Sequence, residues 1–388
     1  MKSAFTLSEV AKIDRRTASD EERDRLPYVG LEDIDKEVGR FSREFKRKPE
    51  TMLATKFCFT PKHILYGKLR PYLNKVALPN FHGVCTTEIL PVLPDERKVN
   101  RRYLYALLLS PNFVKWASAN VSGANLPRIN PERLAEYRLA LPPLDEQKRI
   151  AALLDKADRL RRARRYVQEL SNGFLQSVFL EMFGSWDYPY YPLRDLSKDE
   201  RGAFVNGPFG SNLLTSELTS SGVPVIYIRD IISGAYKRVS MVCVTDEKAT
   251  ELDVCKVFPG DVLVTKVGDP PGTAAIYPES EPMGVITQDV IRIRVNCSLV
   301  TPEYLSTFLN SCKGYQTLEP IIVEGTRARF SLTSYKELPI PIPPLMLQNN
   351  FANVVRRYGR IRAQQREADR QAEHLFQTLL HRAFSGSC

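Results

Sequence analysis

The sequence predicts an α+β fold: two mixed α/β heads in a pseudo-two-fold arrangement, separated by an antiparallel coiled-coil pair of long helices. Three observations support this prediction. The chain contains an internal duplication, each copy ends in a proline-free segment with helical periodicity, and the rest of each copy alternates short β-branched runs with turn signals. We therefore divide the 388 residues into a first head (1–143), a central helix (144–189), a second head (190–344) and a C-terminal helix (345–388).

The duplication is visible when each residue is compared with the residue 201 positions later. Between residues 99 and 184, 17 of 86 positions are identical without a gap, including the pairs Tyr103/Tyr304 and Arg128/Arg329. The spacing falls to 186 towards the N-terminus, as expected if the second copy holds extra loop residues early on. Because a long repeat is the sequence signature of a repeated structural unit, the chain is predicted to contain one unit twice.

The segments 145–182 and 345–384 each follow a Pro-Pro-Leu sequence, and apolar residues recur in both at alternating steps of three and four. This spacing is typical of a coiled-coil seam. We favour pairing of the two helices with each other because their seams share phase and length, while packing of each helix only on its own head stays an alternative. A helix of 38 residues, the length of the segment 145–182, spans about 57 Å. This exceeds one DNA turn of about 34–36 Å. The predicted seam residues are Ile150, Leu153, Ala157, Leu160, Phe351, Val354, Tyr358 and Ile361.

The composition, 43% apolar and 26% charged, is ordinary for a folded globular protein. We expect a cytoplasmic protein without a membrane partner, because no apolar run is long enough to span a bilayer and the N-terminus lacks the apolar core of a signal peptide. The seven cysteines never form a CxxC pair and the four histidines show no ligand spacing, so neither a disulfide framework nor a metal site is predicted.

The net charge of +10 points to a polyanionic partner. The charge is uneven: residues 1–143 carry a net +8, whereas residues 190–344 carry a net −3. If nucleic acid is the partner, the second head must therefore contact it through a local basic patch.

No catalytic residue is predicted. The Gly207-Pro-Phe-Gly210 segment lacks the lysine and hydroxyl residue of a phosphate-binding loop, and no glycine-rich nucleotide fingerprint or adenine-methyltransferase tetrad is present. The spacing from Asp261 to Lys266 could fit a nuclease carboxylate–lysine pair, but such short spacings are common and the first copy has His63 and Ile64 at the aligned position.

Several polar residues lie where DNA contacts are expected. Each copy has a lysine at a tight turn after a strand, Lys68 and Lys266, and a glycine-centred basic loop before the Pro-Pro sequence. A third candidate position holds Glu32-Asp33 in one copy and Arg229-Asp230 in the other. Such side chains can contact phosphates or base edges, although a solvated surface charge is the alternative for each. The candidate DNA-binding residues are Lys68, Arg70, Asn125, Arg128, Ser211, Asn212, Arg229, Lys266, Gln288, Arg327 and Arg329.

The chain resembles the specificity subunit of type I restriction–modification systems. The resemblance is carried by two Pro-Pro-Leu-x-x-Gln segments, 141–147 and 342–348, each with its helix, and by segments 206–211, 223–230 and 259–264. Two departures occur: Met346-Leu347 replaces the acidic residue that usually precedes the glutamine, and the first copy has no counterpart of the Gly-Pro-Phe-Gly-Ser loop.

This resemblance implies a non-catalytic subunit whose two target-recognition domains each read half of an asymmetric, bipartite site in double-stranded DNA. It implies that the helices act as a ruler and as a docking surface for two methyltransferase subunits. No cofactor is expected on this chain; S-adenosylmethionine is expected on the methyltransferase partners, and ATP and Mg²⁺ on further restriction and translocase subunits. The alternatives are a self-contained nuclease or methyltransferase, a specificity subunit of a related type II system, and a coiled-coil scaffold without a DNA role.

Overall fold

The computed structural model describes residues 3–36, 39, 41, 54–171, 173–208, 212–232 and 234–384. The chain forms two compact units: unit 1 comprises Met1–Val167 and Gln365–Cys388, and unit 2 comprises Gln168–Gln364. The division falls inside both predicted helical segments, so each unit consists of one head together with part of each helical segment.

Unit 1 holds the first head. Its strands are β1 (Ser3–Thr6), β2 (Ala11–Ile13), β3 (Tyr28–Val29), β4 (Lys56–Phe59), β5 (Ile64–Gly67), β6 (Val76–Ala77), β7 (Gly83–Thr86), β8 (Ile89–Pro94), β9 (Val121–Ser122), β10 (Arg128–Ile129) and β11 (Arg138–Leu141). Its helices are α1 (Leu7–Val10), α2 (Asp20–Arg25), α3 (Arg101–Leu109), α4 (Pro111–Ala119), α5 (Pro131–Ala135) and most of α6 (Leu144–Ser171).

Unit 2 holds the second head. Its helices are α7 (Phe174–Phe183), α8 (Asp246–Glu251), α9 (Pro302–Leu309), α10 (Cys312–Leu318), α11 (Leu332–Lys336) and the first part of α12 (Leu345–Phe384), whose last part belongs to unit 1. Its strands are β12 (Tyr190–Pro192), β13 (Phe204–Asn206), β14 (Val223–Ile226), β15 (Ile231–Ile232), β16 (Ala235–Tyr236), β17 (Cys243–Val244), β18 (Lys256–Val257), β19 (Val262–Thr265), β20 (Ala274–Ile276), β21 (Gly284–Ile286), β22 (Val290–Ile293) and β23 (Pro339–Pro341).

The two heads share the order of one four-stranded sheet and the pairing of their terminal strands, while their second sheets have three strands (β3-β7-β4) and four strands (β17-β14-β21-β18). An antiparallel four-stranded sheet has the order β2-β8-β5-β6 in the first head and β13-β22-β19-β20 in the second. A second sheet contains one parallel pair in each head, β3 with β7 and β14 with β21. The terminal strands of each head pair antiparallel, β1 with β11 and β12 with β23. The predicted mixed α/β heads with long helices are therefore confirmed, and the duplication extends to strand order.

In each head two short helices follow one another, α3 and α4 in the first and α9 and α10 in the second, and a serine caps the start of the second helix of each pair. The Ser110 hydroxyl accepts a hydrogen bond from the Phe113 amide and Pro111 opens α4; Ser311 accepts one from Gly314 at the start of α10. A serine at this position satisfies an amide that has no partner within its helix. Serines at equivalent positions, 201 residues apart, therefore start the second helix of this pair in both heads.

Each head completes its core with the end of the helical segment that follows the other head in sequence. In unit 1, Phe376, Leu380 and Phe384 of α12 are buried in the core with α3 and the four-stranded sheet. In unit 2, Phe179 and Phe183 of α7 occupy the equivalent place. The ring centroids of Phe384 and Tyr103 lie 5.2 Å apart, and those of Phe183 and Tyr304 lie 5.0 Å apart. Phe351 near the start of α12 is buried in unit 2, whereas the end of α12 is buried in unit 1. This helix therefore does not pack only on the second head, which it follows in sequence.

A buried glutamine fixes the start of each long helix. The Gln147 carbonyl oxygen accepts from the Asn100 amide (2.8 Å), and its side-chain nitrogen donates to the Lys98 (3.1 Å) and Pro142 (2.9 Å) carbonyls. Gln348 makes the same three bonds with the Thr301 amide (2.9 Å) and the Leu299 (3.0 Å) and Pro343 (2.8 Å) carbonyls. This explains the Pro-Pro-Leu-x-x-Gln sequence physically: one amide side chain ties the helix to the segment that leads into α3 or α9.

Part of the predicted helix seam is wrong. Ala157 and Phe351 are buried, and Ile150, Val354 and Tyr358 are partly buried, but Leu153, Leu160 and Ile361 are 45%, 43% and 45% exposed. The α6 face that is buried instead carries Ala151, Leu154, Ala157, Asp158 and Arg161.

The reason is that charged residues are buried on α6. The Arg161 guanidinium is 2% exposed, lies 3.8 Å from the centroid of the Phe376 ring and is 2.6 Å from the Asp158 carboxylate. Such a paired cation over a ring is compatible with burial. Because the prediction counted only apolar residues, it assigned Leu153 and Leu160 to the buried face of α6 and missed the face that carries Asp158 and Arg161. The predicted central helix is also interrupted: α6 ends at Ser171 and α7 begins at Phe174.

Within the described residues, no helix is long and apolar enough to cross a membrane.

Replacing Gln348 with methionine should lower the free energy of unfolding of unit 2 by about 3 kcal/mol, because one amide and two carbonyls lose their buried partners. Urea denaturation with Trp186 fluorescence in a Trp116→Phe background measures unit 2, since Trp186 packs on its core. The control is Gln364→Met, at an exposed position of α12, which should change stability by less than about 0.5 kcal/mol. Equal effects of the two substitutions would refute the role of the buried amide.

Replacing Phe384 with alanine should destabilise unit 1 by about 3–5 kcal/mol, because a fully buried ring is removed. Trp116 packs on the core of unit 1, so its fluorescence in a Trp186→Phe background follows that unit. Phe183→Ala is the matched variant for unit 2. We expect each substitution to shift the tryptophan transition of its own unit; a shift of the Trp186 signal alone by Phe384→Ala would contradict the assignment.

Candidate nucleic-acid interface

In the first head, the strand-end turn and the basic loop predicted from the sequence lie side by side. The turn (residues 68–73) follows β5, and Leu69 forms a β-bridge with Arg128 at the end of the loop (residues 122–128). The Arg70 amide donates to the Pro127 carbonyl (2.7 Å), and the Ile129 amide donates to the Lys68 carbonyl (3.1 Å). Lys68, Arg70 and Arg128 are thus brought together by main-chain hydrogen bonds.

The backbone of Arg70 is strained. Its φ of 52° and ψ of 66° lie in the left-handed region, which is unfavourable for a residue with a Cβ atom by about 1–2 kcal/mol. The hydrogen bond to Pro127 and the buried Pro71 that follows hold this conformation. Its side chain is exposed. Strain of this kind persists where the surroundings over-determine it and is frequent at functional sites.

An acidic residue that the sequence reasoning missed joins the turn to the loop. The Glu88 carbonyl accepts from the Lys68 amide (2.9 Å), and its carboxylate accepts from Nε of Arg128 (2.9 Å). The turn between β7 and β8 therefore contacts both basic segments. The duplication offers a signal for it, because Asp289 occupies the position 201 residues later.

The second head repeats this arrangement. Val267 forms a β-bridge with Arg329, the Gly268 amide donates to the Ala328 carbonyl (3.1 Å), and the Lys266 amide donates to the Asp289 carbonyl (2.8 Å). The turn after β19 and the loop of residues 323–329 are thereby joined as in the first head.

A glycine extends the patch of the second head to a further strand end. The Gly207 amide donates to the Val290 carbonyl (3.1 Å), and a Cβ atom on Gly207 would lie 2.3 Å from the Thr287 carbonyl carbon. Only glycine allows so close an approach. Because the Thr287 amide donates to the Ile226 carbonyl (3.0 Å), the ends of β13, β14 and β21 meet here, next to Gln288.

The aspartates of the third candidate position have structural roles. Asp230 is buried and accepts hydrogen bonds from the Tyr227, Val239 and Ser240 amides, and buried Asp33 accepts one from the Gly30 amide. Arg229 is exposed; its guanidinium lies 4.6 Å from the Tyr227 ring centroid and donates to the Ser240 hydroxyl.

Lys68, Arg70 and Arg128 thus lie at one strand-end patch in the first head, and Lys266 and Arg329 lie at the equivalent patch in the second. Ser211 lies outside the described residues. Apart from Ser211, the exposed candidates are Arg70, Asn125, Asn212, Arg229, Gln288, Arg327 and Arg329, and the half-buried ones are Lys68, Arg128 and Lys266.

The possible nuclease pair is not assembled. Asp261 precedes β19 and Lys266 follows it, so they stand at opposite ends of one strand. Asp261 is buried and accepts from Nε (3.0 Å) and Nη2 (3.1 Å) of Arg294 and from the Phe258 amide (2.9 Å). In the part of the chain that the structure describes, no three His, Cys, Asp or Glu side chains cluster as metal ligands would.

Residues 2–166 match the protein family described as the type I restriction modification DNA specificity domain. The EcoDI type I specificity subunit of Escherichia coli is 27% identical over 185 residues, which are 47% of this chain and 41% of that subunit. The EcoBI specificity subunit of Escherichia coli is 23% identical over 330 residues, covering 78% of this chain and 68% of the relative.

The fold also matches a solved structure. The type I restriction–modification S subunit from M. genitalium superposes with a TM-score of 0.61 at 13% identity, over 98% of this chain and 95% of that one. The resemblance to type I specificity subunits that the sequence indicates is therefore confirmed.

Proposed function

We propose that this chain is the DNA-specificity subunit of a type I restriction–modification system and acts in the cytoplasm. One observation carries the proposal: a lysine-bearing strand-end turn is joined by main-chain hydrogen bonds to a basic loop in each of the two heads. Duplicated basic loops on rigid sheets suit recognition of two DNA segments, since loops on a scaffold are the usual place of binding residues.

Each head then reads one half of a bipartite, asymmetric site. The two loops differ in the side chains they present: Leu126 of the first head aligns with Arg327 of the second, and Asn125 aligns with Thr326. Because base discrimination depends on the donors, acceptors and apolar groups presented, the two half-sites should be unrelated in sequence.

The helices form an antiparallel spacer in this proposal. Three contacts of unit 1 support it: the guanidinium groups of Arg161 (3.3 Å) and Arg165 (2.9 Å) both reach the Glu373 carboxylate, and Arg161 lies over Phe376.

Unit 2 supports it as well, because the Tyr358 hydroxyl donates to the Ser171 carbonyl and the Phe174 and Tyr358 rings are stacked 5.2 Å apart. Residue numbers rise on α6 as they fall on α12, which is the antiparallel order.

Two methyltransferase subunits are the partners expected on the helices. Leu153, Leu160 and Val167 lie seven residues apart on α6 and are exposed, which is the spacing of an apolar stripe that another helix can cover. In this assembly S-adenosylmethionine belongs to those partners, ATP and Mg²⁺ belong to restriction and translocase subunits, and this chain itself is non-catalytic.

The competing functions fit the geometry less well. A self-contained nuclease would need an assembled carboxylate–lysine pair, and Asp261 is instead held by Arg294. A scaffold without a DNA role gives no reason for the joined basic loops. A specificity subunit of a related type II system has the same DNA-reading parts and differs in its partners, which purification of the assembled complex distinguishes.

Replacing Lys266 with alanine should weaken binding of the second half-site about tenfold and leave the first unchanged, and Lys68→Ala should do the reverse. The motif is first obtained by selecting a randomised duplex pool with the full chain and its methyltransferase partners. Competition with duplexes scrambled in one half at a time then measures each half-site. Lys62→Ala, at an exposed position before β5, is the control. Equal losses at both half-sites would refute the assignment of one head to one half-site, and a selection without a split consensus would refute the proposed function.

Removing one heptad from each helix should shorten the tolerated gap between the half-sites by about three base pairs, because seven helical residues rise about 10.5 Å and successive base pairs about 3.4 Å. The gap is measured with duplexes that differ only in the number of spacer base pairs. Removal of a full heptad preserves the phase of the seam. An unchanged gap in a variant that still binds both half-sites would contradict the ruler.

A further inference from the structure

We propose that Glu88 is a positioning residue that aims the Arg128 guanidinium at a guanine edge in the first half-site. This inference rests on the proposed function. Basic residues of the first head can either read bases or attract phosphates, and we assign Arg128 to base reading because of the way its side chain is held.

The guanidinium of Arg128 is held on two sides. Its Nε donates to the Glu88 carboxylate (2.9 Å) and its Nη1 donates to the Leu126 carbonyl (3.2 Å). An arginine has five N–H donors in a planar fork. Three therefore remain at the outer end of the guanidinium, one on Nη1 and two on Nη2. The side chain is 39% exposed and that of Glu88 is 26% exposed, so this outer edge is open to a ligand.

The groups that hold Arg128 are themselves fixed. Glu88 lies in the turn between β7 and β8, and its carbonyl accepts from the Lys68 amide. Leu126 and Arg128 belong to a loop whose Pro127 carbonyl is bonded to the Arg70 amide and whose end bridges Leu69. The direction of the guanidinium is thus set by main-chain contacts on both sides. Ordering it before DNA arrives reduces the entropy that is lost on binding.

This arrangement favours a guanine over a phosphate. Guanine presents two acceptors, N7 and O6, at a fixed spacing in one plane, and a guanidinium must be correctly oriented to bind both. Attraction to a phosphate needs no such orientation, and a carboxylate 2.9 Å from the guanidinium opposes it. Glu88 therefore weakens the attraction of Arg128 to a phosphate, and it fixes the orientation that Arg128 needs to bind the two acceptors of a guanine.

The second head lacks this restraint. Asp289 replaces Glu88 with a side chain one methylene shorter. Within the described residues, the Arg329 guanidinium has neither a side-chain hydrogen bond nor an ion pair, and Arg329 is exposed where Arg128 is half-buried. The aligned arginines thus differ in the feature on which the proposal depends, and Asp289 provides a matched control.

The test compares Glu88→Ala, Arg128→Ala and Asp289→Ala in the full chain with its methyltransferase partners. The wild type is used first to select the bipartite motif from a randomised duplex pool. Duplexes with single base changes in the first half-site then give the discrimination at each position, and a duplex of unrelated sequence gives non-specific affinity and its salt dependence. The Trp116 unfolding transition shows that Glu88→Ala and Arg128→Ala keep the fold of unit 1, and the Trp186 transition shows that Asp289→Ala keeps the fold of unit 2.

We expect Arg128→Ala to lose about tenfold of the discrimination for one guanine. Glu88→Ala should lose a similar factor at the same guanine, while its affinity for unrelated DNA stays equal or rises because a negative charge is removed. Asp289→Ala should leave the base preferences of the second half-site unchanged. Glu88→Gln, which retains a carbonyl acceptor without the charge, should restore part of the discrimination.

Two outcomes would overturn the inference and leave the proposed function intact: a first half-site in which no guanine depends on Arg128, or a Glu88→Ala variant that keeps full base discrimination and merely binds all sequences more tightly. A wild-type chain that selects no split motif refutes the proposed function itself, which is a different result.

Discussion

The hydrogen bonds of two buried glutamine side chains are the constraint on which the rest of the structure depends. Gln147 and Gln348 each bind one amide and two carbonyls, and so tie the first turn of a long helix to the segment that enters α3 or α9. Because the terminal strands of each head close immediately before this point, the amide fixes where the head ends and where the helix starts. An apolar side chain could fill the space but could not satisfy those three main-chain groups.

In both units the core of a head is completed by the end of the helical segment that follows the other head in sequence. The apolar end of α12 completes unit 1, and α7, which precedes the second head, completes unit 2. The aromatic contacts at the two places are equivalent, Phe384 with Tyr103 and Phe183 with Tyr304. A large buried ring contributes several kilocalories per mole to stability. The folding of the first head is therefore coupled to the last residues of the described chain.

Repetition made much of this predictable from sequence. Two heads, two helices, and a lysine-bearing turn and a basic loop in each head follow from positions that recur at nearly constant spacing, whereas the joining of turn to loop is seen in the structure. What could not be predicted depends on contacts between distant residues. The burial of Arg161 requires Phe376 and Glu373, more than 200 residues away, so a count of apolar positions placed Leu153 and Leu160 in the seam. Glu88 was missed because the recurrence of an acidic residue at Asp289 marks the position but not its role, which depends on Arg128, 40 residues away.

The way in which the loops are attached explains how one duplicated scaffold can carry two different recognition surfaces. In both heads the loop is joined to the strand-end turn through main-chain atoms: Arg70 to Pro127 in one, Gly268 to Ala328 in the other. Main-chain hydrogen bonds do not depend on side-chain identity, so Leu126 and Arg327, or Glu88 and Asp289, can occupy equivalent positions without moving the backbone. Side chains at the tip can then change which bases are read at little cost in stability, whereas the buried glutamines and the aromatic pairs cannot change in this way.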